Sequence, residues 1–310
     1  MQYATETRHV HQDIIDRLCD TRASISPKYF YDLLGSRLFE VITLLPEYYP
    51  TRTERSVMRE HASAIAAAVG LGGTLIDLGA GNCEKAEAMF DMLRPRQYVA
   101  LDISTDFIQQ AVAGLRRRHP SIDIRAVGAD LSHPFDLPAA VHAHQRTFFY
   151  PGSSIGNFDP PEALALLRRI RQLCGSDGGL LIGVDLVKDA AVLESAYDDE
   201  LGVTAAFNLN LLNHVNQLLE SDFNPRDWLH RARYVRNHAR IEMCLEARKN
   251  LSVHWPGGCR EFAAGERIHT ENSYKYKLAD FEHLLARAGF ARTCSWTDAR
   301  HWFGVCYATV

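Results

Sequence analysis

The sequence predicts an α/β protein: a doubly wound, mostly parallel sheet ending in an antiparallel hairpin, with a smaller α+β substrate domain set into it. Three observations carry this. Short apolar runs alternate with amphipathic helical stretches from about residue 74 to 187, the pattern of strand–helix–strand units. After Val187 the alternation stops, and helical and then strand-rich stretches follow. The chain closes with one amphipathic helix, LADFEHLLARAGF, and two strands in ARTCSWTDARHWFGVCYATV.

Taken in order, residues from about 10 to 20 place Ile14, Ile15 and Leu18 at helical spacing. The stretch SISPKYFYDLLGSRLFEVITLLPEYYPTRTE is dense in aromatics and broken by Pro27, Gly35, Pro46 and Pro50, which predicts a compact cap with fixed turns. From Thr53 to about Val69 the pattern is helical again. GGTLIDLGAGNCEKAEAMFDML then reads as a glycine turn, a strand from Thr74 to Leu78, a glycine-rich loop and a helix. QYVALDIS is a second strand ending in Asp102, followed by a helix from Thr105 to Arg117. IDIRAVGAD is a third strand ending in Asp130, and RTFFYPGSSIGNF a fourth strand with its exit loop. PEALALLRRIRQLC is a helix and GGLLIGVDLV a fifth strand. Ala190 to about Leu219 reads as helical, and RARYVRNHARIEMCLEARKNLSVHWP and HTENSYKYKL as antiparallel strands. The expected domains are a sheet core, 54–196 with 275–310, and a substrate domain from 1–53 with 197–274. The two parts of the latter are expected to pack together over the carboxyl edge of the sheet, where open α/β sheets bind ligands.

Composition narrows the function classes. The 310 residues are 46% hydrophobic and 23% charged, ordinary for a globular chain, and the net charge of −4 disfavours nucleic acid or an anionic membrane as partner. The run Arg116–Arg118 reads as a solvated helix end. No apolar run approaches the ~20 residues of a membrane span, and the start of the chain lacks a signal-peptide core, so a cytoplasmic enzyme is expected. The seven cysteines are scattered, with no C-x-x-C pair, which predicts free thiols. His142 and His144 fall in a surface connection, and no metal site is expected. No coiled-coil pattern is present, and a monomer is expected.

The loop IDLGAGN carries the first chemical signal. Gly79 and Gly81 let the backbone approach a ligand closely, but the dinucleotide spacing G-x-G-x-x-G is missing, and Glu84 stands where the third glycine would be. An acid there repels a pyrophosphate. S-adenosylmethionine (SAM) has no phosphate and carries a sulfonium, and suits the loop better than a dinucleotide. Asp102 closes the second strand, a usual place for an acid that bonds ribose hydroxyls; Asp130 can bond the adenine amine, with Leu131 against the ring. A closing helix and antiparallel hairpin after five parallel strands is also how the class I methyltransferase (Rossmann-like) sheet ends, which speaks to fold alone.

PKYFYDLLGSRLFEVITLLPEYYPTRTE, FYPGSSIGNF, DLVKD…AYDDELGVTAAFN, RIEM and EFAAGERIHTENSYKY together resemble the histidine-specific N-alpha-methyltransferases of ergothioneine biosynthesis. The matches run from about residue 25 to the end of the chain and include the cap and insertion as well as the cofactor loop. The resemblance implies SAM-dependent trimethylation of the L-histidine α-amine to hercynine. It also implies site residues. Tyr31, Phe39 and Tyr48 would line the substrate pocket, Asn157 and Tyr197 would grip the amino and carboxylate groups, and Met243 would pack on the imidazole. Glu271 and Ser273 would bind the imidazole's two nitrogens, while Asn272 between them points away. Gly79, Lys85, Asp102, Asp130 and Gly152 fall on the family's SAM positions, and with Gly81 of the loop and Leu131 they make the expected SAM set. Tyr48 and Asn157 are the candidates for holding the reacting amine. Cys83 departs from the more polar small residues expected in the loop and introduces an oxidation-sensitive position.

Two other readings compete. One is the same fold acting on another amine, such as an alkaloid precursor; the other is a non-catalytic sensor of SAM or histidine. Strand alternation puts Glu271, Ser273 and Lys275 on one face, so Glu271 could instead pair with Lys275.

Overall fold

The computed structural model describes residues 2–310, with side chains from residue 10 onward apart from Asp106. The chain forms two compact units, Met1–Tyr49 with Lys188–Ser273, and Pro50–Val187 with Tyr274–Val310. The strands in chain order are β1 (Thr74–Leu78), β2 (Gln97–Asp102), β3 (Asp123–Gly128), β4 (Arg146–Tyr150), β5 (Gly179–Asp185), β6 (Trp228–Val235), β7 (Arg240–Ala247), β8 (Leu251–Trp255), β9 (Gly258–Phe262), β10 (Arg267–Tyr274), β11 (Arg292–Thr297) and β12 (Phe303–Thr309).

The larger unit holds a seven-stranded sheet in the order β11-β12-β5-β4-β1-β2-β3. β1 to β5 pair in parallel, while β12 is antiparallel to both β5 and β11. This is the α/β sheet of a class I methyltransferase. Every residue of β1 and β5 is buried, which explains why these strands read as continuous apolar runs rather than as alternation. Ile76, Leu78, Val99, Leu101 and Phe148 face one side, packing with Leu167 and Phe281; Leu75, Tyr98, Ala100 and Phe149 face the other, with Val57, Ile65 and Val112. Each fully buried aliphatic side chain, such as Leu167, contributes about 1.5–3 kcal/mol.

The departures from expectation have local causes. β3 stops at Gly128, short of Asp130, because its partner β2 ends at Asp102, opposite Gly128, leaving no ladder to continue. The helix after the glycine loop is two single turns, Glu84–Glu87 and Phe90–Leu93. Between them Met89 N–H bonds the Ala86 carbonyl three residues back, a tighter turn than an α-helix allows. Gly35 does not break the cap. It lies in the first turn of helix Leu33–Ile42, where a side chain would come within 1.8 Å of the Phe30 carbonyl oxygen. Pro27 opens its 3-10 turn and Pro50 is the second residue of helix Tyr49–Glu60, both in a first turn where a missing N–H costs nothing. The helical stretch after residue 190 is two helices, Ala190–Ser195 and Val203–Leu219. Gly202 (φ +73°) turns the chain between them, and Asp199 accepts from the N–H groups of Val203 (2.9 Å) and Thr204 (2.7 Å). The sheet unit runs up to Val187, whose N–H bonds the Tyr276 carbonyl. At the supposed basic run, Arg118 bonds Glu87 at 2.7 and 2.8 Å and Arg116 bonds the Ile124 carbonyl.

The smaller unit contains a three-stranded sheet, β10-β7-β6, and the hairpin β8-β9. β7 alternates strictly, burying Ile241, Met243, Leu245 and Ala247. The cap joins β10 along its edge: Ile25 N–H bonds the His269 carbonyl, and His269 N–H bonds that of Ala23. Helix Val203–Leu219 turns polar side chains toward the cap. Asn210 bonds Asp32 (2.9 Å), and His214 lies 2.7 Å from the Tyr29 carbonyl. Asp32 in turn caps helix Leu33–Ile42 through Gly35 N–H, so one helix fixes the backbone on both sides of Tyr31. Among the described residues, no helix is long and apolar enough to cross a membrane.

Candidate active site

The glycine loop sits at the carboxyl end of β1. Gly79 (φ +68°) and Gly81 (φ +53°) occupy left-handed backbone, and a Cβ at either would meet no atom within 4 Å. The loop is therefore held open by backbone conformation, not by packing. Gly79 and Ala80 both donate to the Leu101 carbonyl, and Gly81 N–H donates to Asp102 Oδ2 at 2.9 Å. Ser104 N–H donates to the other Asp102 oxygen, also at 2.9 Å. Two backbone donors fix this carboxylate and leave it acceptor capacity for hydroxyl groups. Asp130 accepts from Ser132 N–H and lies 3.1 Å from the His133 ring nitrogen, within its own loop. Leu131 packs on the sheet core.

Lys85 projects beside the loop and bonds Glu54 at 2.7 Å. The same carboxylate accepts the Gly152 N–H, also at 2.7 Å. Glu54 is 3% exposed, and Gly183 makes its room, since a side chain there would lie 2.3 Å from Glu54 Oε1. Glu54 was not visible as a site residue from sequence: it lies 31 and 98 positions from the groups it holds. Beneath the loop, Asp77 is buried, its Oδ2 bonded by Tyr98 at 2.8 Å and its Oδ1 without a partner. Burial pushes its pKa up to about 7, against the bond from Tyr98. Cys83 is wholly buried and burial pushes its thiol up to about 12, so it is inert rather than oxidation-sensitive. These features fit SAM. The cradle is open, its acids outnumber Lys85, and a sulfonium and an ammonium suit such a field where a pyrophosphate does not.

In the smaller unit the predicted substrate residues form a chain of rings. Tyr31 meets Phe39 edge-on (5.9 Å between centroids), Phe39 meets Tyr48 (6.2 Å) and Tyr48 meets Tyr197 (6.4 Å). Phe207 lies about equally far from Tyr31 and Phe39, at 5.9 and 6.0 Å. The Tyr197 hydroxyl and Ser273 Oγ are 2.7 Å apart and buried. Glu271, two residues earlier on β10, is 8% exposed, and Met243 is buried on the neighbouring strand β7. Asn272 bonds His269 at 2.9 Å. Lys275 pairs with Asp185 at 2.9 Å. Asn157 ends the short turn Ser154–Asn157, whose Gly156 packs against the Tyr274 backbone so closely that a Cβ would lie 2.7 Å from its carbonyl oxygen.

A family model described as histidine-specific methyltransferase, SAM-dependent, matches residues 10–310. The chain belongs to this family. Within it, the chain is 38% identical over 306 residues to a histidine N-alpha-methyltransferase of Mycolicibacterium smegmatis, covering 96% of this chain and 94% of that one. It is 30% identical to ergothioneine biosynthesis protein 1 of Neurospora crassa, covering 86% of this chain and 31% of that larger protein. It is 28% identical to N-methyltransferase imqF of Aspergillus flavus, covering 87% and 76%. For a family that depends on SAM, the Glu54–Lys85–Gly152 cluster makes a direct prediction. Glu54→Gln removes the charge that orients Lys85, and should raise the dissociation constant for SAM about tenfold, a bond to a charged group discounted for the half-exposed Lys85. Titration calorimetry reads this; an unchanged constant would mean that Lys85 needs no such partner.

Proposed function

We propose that this chain methylates the α-amine of L-histidine with SAM, the first step of ergothioneine biosynthesis, and that it carries the amine through three transfers to hercynine. The observation that carries the substrate assignment is the buried pair Glu271 and Ser273, on one strand, with Tyr197 bonded to Ser273. Glu271 accepts from one ring N–H. Ser273 donates to the other ring nitrogen while accepting from Tyr197, an arrangement that reads neutral imidazole by both nitrogens. Met243 packs on the ring.

On the cofactor side, Gly79 and Gly81 give backbone access, Asp102 takes the ribose hydroxyls, and Asp130 and Leu131 take the adenine. Lys85 and Gly152 serve the carboxylate end. SAM supplies the methyl group from its sulfonium. Tyr48 and Asn157 hold the amine with its lone pair toward that methyl, and alignment of nucleophile, methyl and sulfur is the chief contribution. A free amino group has a pKa of about 8 or above and is mostly protonated at neutral pH, and the neighbouring sulfonium favours the neutral form by like-charge repulsion. Tyr48, or water, takes the proton. Tyr31, Phe39 and Tyr48 present aromatic faces to the growing quaternary ammonium, which has no N–H left to donate. No metal enters the scheme, and the enzyme works as a cytoplasmic monomer.

Mass spectrometry of the purified protein, incubated with SAM and an equal mixture of the twenty amino acids, tests this reading. The expected product is histidine heavier by three methyl groups. Accumulation of monomethylhistidine under excess SAM would refute the trimethylation. Absence of any methylated histidine would transfer the assignment to another amine.

A further inference from the structure

His230, on β6, is buried with both ring nitrogens engaged. Asn208 Nδ2 lies 2.8 Å from Nδ1, and the Tyr197 carbonyl oxygen 2.8 Å from Nε2. The partners define the hydrogens. A carbonyl oxygen only accepts, so Nε2 carries a hydrogen and donates it to Tyr197. Asn208 Nδ2 also donates to the Cys244 carbonyl, 3.2 Å away. That contact fixes the amide's orientation, because turned over it would press its own oxygen on the Cys244 oxygen. Nδ1 therefore accepts from Asn208 and carries no hydrogen. The ring is neutral.

The charged groups around it are few. Asp198 approaches Nε2 at 3.9 Å, and Asp199 and Arg231 act at longer range. Burial outweighs the aspartates and holds the His230 pKa below the ordinary histidine value. Asn208 cannot relieve a protonated ring: both hydrogens of its amide are committed, and its Oδ1 is buried without a partner, on the far side. An added Nδ1–H would face an N–H.

We propose that His230 is a positioning residue for substrate capture. Clamped by Asn208, its neutral Nε2–H form pins the Tyr197 backbone so that the Tyr197–Ser273 pair keeps its place at the imidazole. This rests on the assignment of that pair to histidine. Acid loosens the clamp and weakens capture of histidine without touching SAM.

His230→Gln keeps one donor and one acceptor at this place and does not titrate. His230→Leu keeps neither. At pH 7.5, His230→Leu should raise KM for histidine about tenfold, the worth of one lost buried bond with its orphaned partner, with kcat and SAM affinity within about twofold. His230→Gln should restore most of it. As pH falls from 7.5 through the range in which His230 takes up a proton, below that of an ordinary histidine, the ratio of the wild-type KM to that of His230→Gln should rise. Titration of the substrate and of Glu271 is common to both proteins and cancels. In the ¹⁵N ring spectrum, the histidine signal missing from His230→Gln should show a protonated Nε2 and a bare Nδ1. The reverse tautomer, or a flat ratio with the right tautomer, overturns the proposal while leaving the function intact. Methylation of a different amine, with none of histidine, would instead sink the substrate assignment, and the tautomer signature would still be read independently. If His230→Leu fails to fold, the His230→Gln ratio decides alone.

Discussion

Glu271→Ala should lower kcat/KM for histidine by about a hundred- to a thousandfold, because a site built to bond a polar group discriminates steeply once that bond is lost. The loss should fall on histidine selectively. SAM affinity should stay within about twofold, since Glu271 belongs to β10 and not to the glycine loop. Phenylalanine, which has no ring nitrogen, gains nothing from Glu271, so the ratio of histidine to phenylalanine turnover should collapse. Glu271→Gln should fall between, because an amide oxygen still accepts from the ring but without charge. Steady-state rates with both amino acids at saturating SAM measure this. Histidine turnover within threefold of the native value in Glu271→Ala would remove the imidazole pair from the argument, whatever else the enzyme methylates.

Much of the larger unit could be read from the sequence because its signals are local. The β1 run and its glycine loop, the second strand ending at Asp102 and the final helix and hairpin are all defined by residues within a few positions of each other. The errors arose where a neighbour in space decides. Gly35 looked like a breaker, yet it is required inside a helix by the Phe30 carbonyl. The end of β3 is set by where β2 stops, which no property of IDIRAVGAD itself reveals. The helix after the loop has helical spacing throughout, and is nonetheless divided at Met89.

The site divides in the same way. The residues proposed to touch ligand, such as Gly79, Asp102, Glu271 and Ser273, follow from motifs in the chain. Those that hold them in place do not. Glu54 reads as one more acid on an amphipathic helix, and only its contacts with Lys85 and Gly152 give it meaning. Asn208, Asn210 and His214 sit in AFNLNLLNHVNQLL, where the apolar spacing predicts a helix but says nothing about which polar residues turn inward. Their targets, at residues 230, 32 and 29, come from both the cap and the insertion. An asparagine or histidine on an otherwise apolar face is the signal that could have been followed, since such groups are tolerated there only when bonded.

Lys275 makes the same case in terms of stability. It pairs with Asp185 at 2.9 Å, with the two side chains 0% and 1% exposed. The pair stands where the chain leaves the sheet and where it returns: Leu186 bridges Tyr276, Tyr276 N–H bonds the Asp185 carbonyl and Val187 N–H bonds that of Tyr276. Asp185 N–H is also taken, by Ser153 Oγ at 2.8 Å. An ion pair so deeply buried gives little net stability over an apolar pair, but half of one is expensive. Lys275→Met should therefore cost about 3–5 kcal/mol in urea unfolding, because Asp185 is left charged in a dry site or must take up a proton. Asp185→Leu with Lys275→Met should recover most of that loss, and the difference between single and double variants is the coupling energy. A cost below about 1 kcal/mol for Lys275→Met would show that Asp185 is adequately held by its other bonds. In that case the lysine would serve specificity instead, excluding any arrangement in which the exit strand and the returning strand are paired out of register.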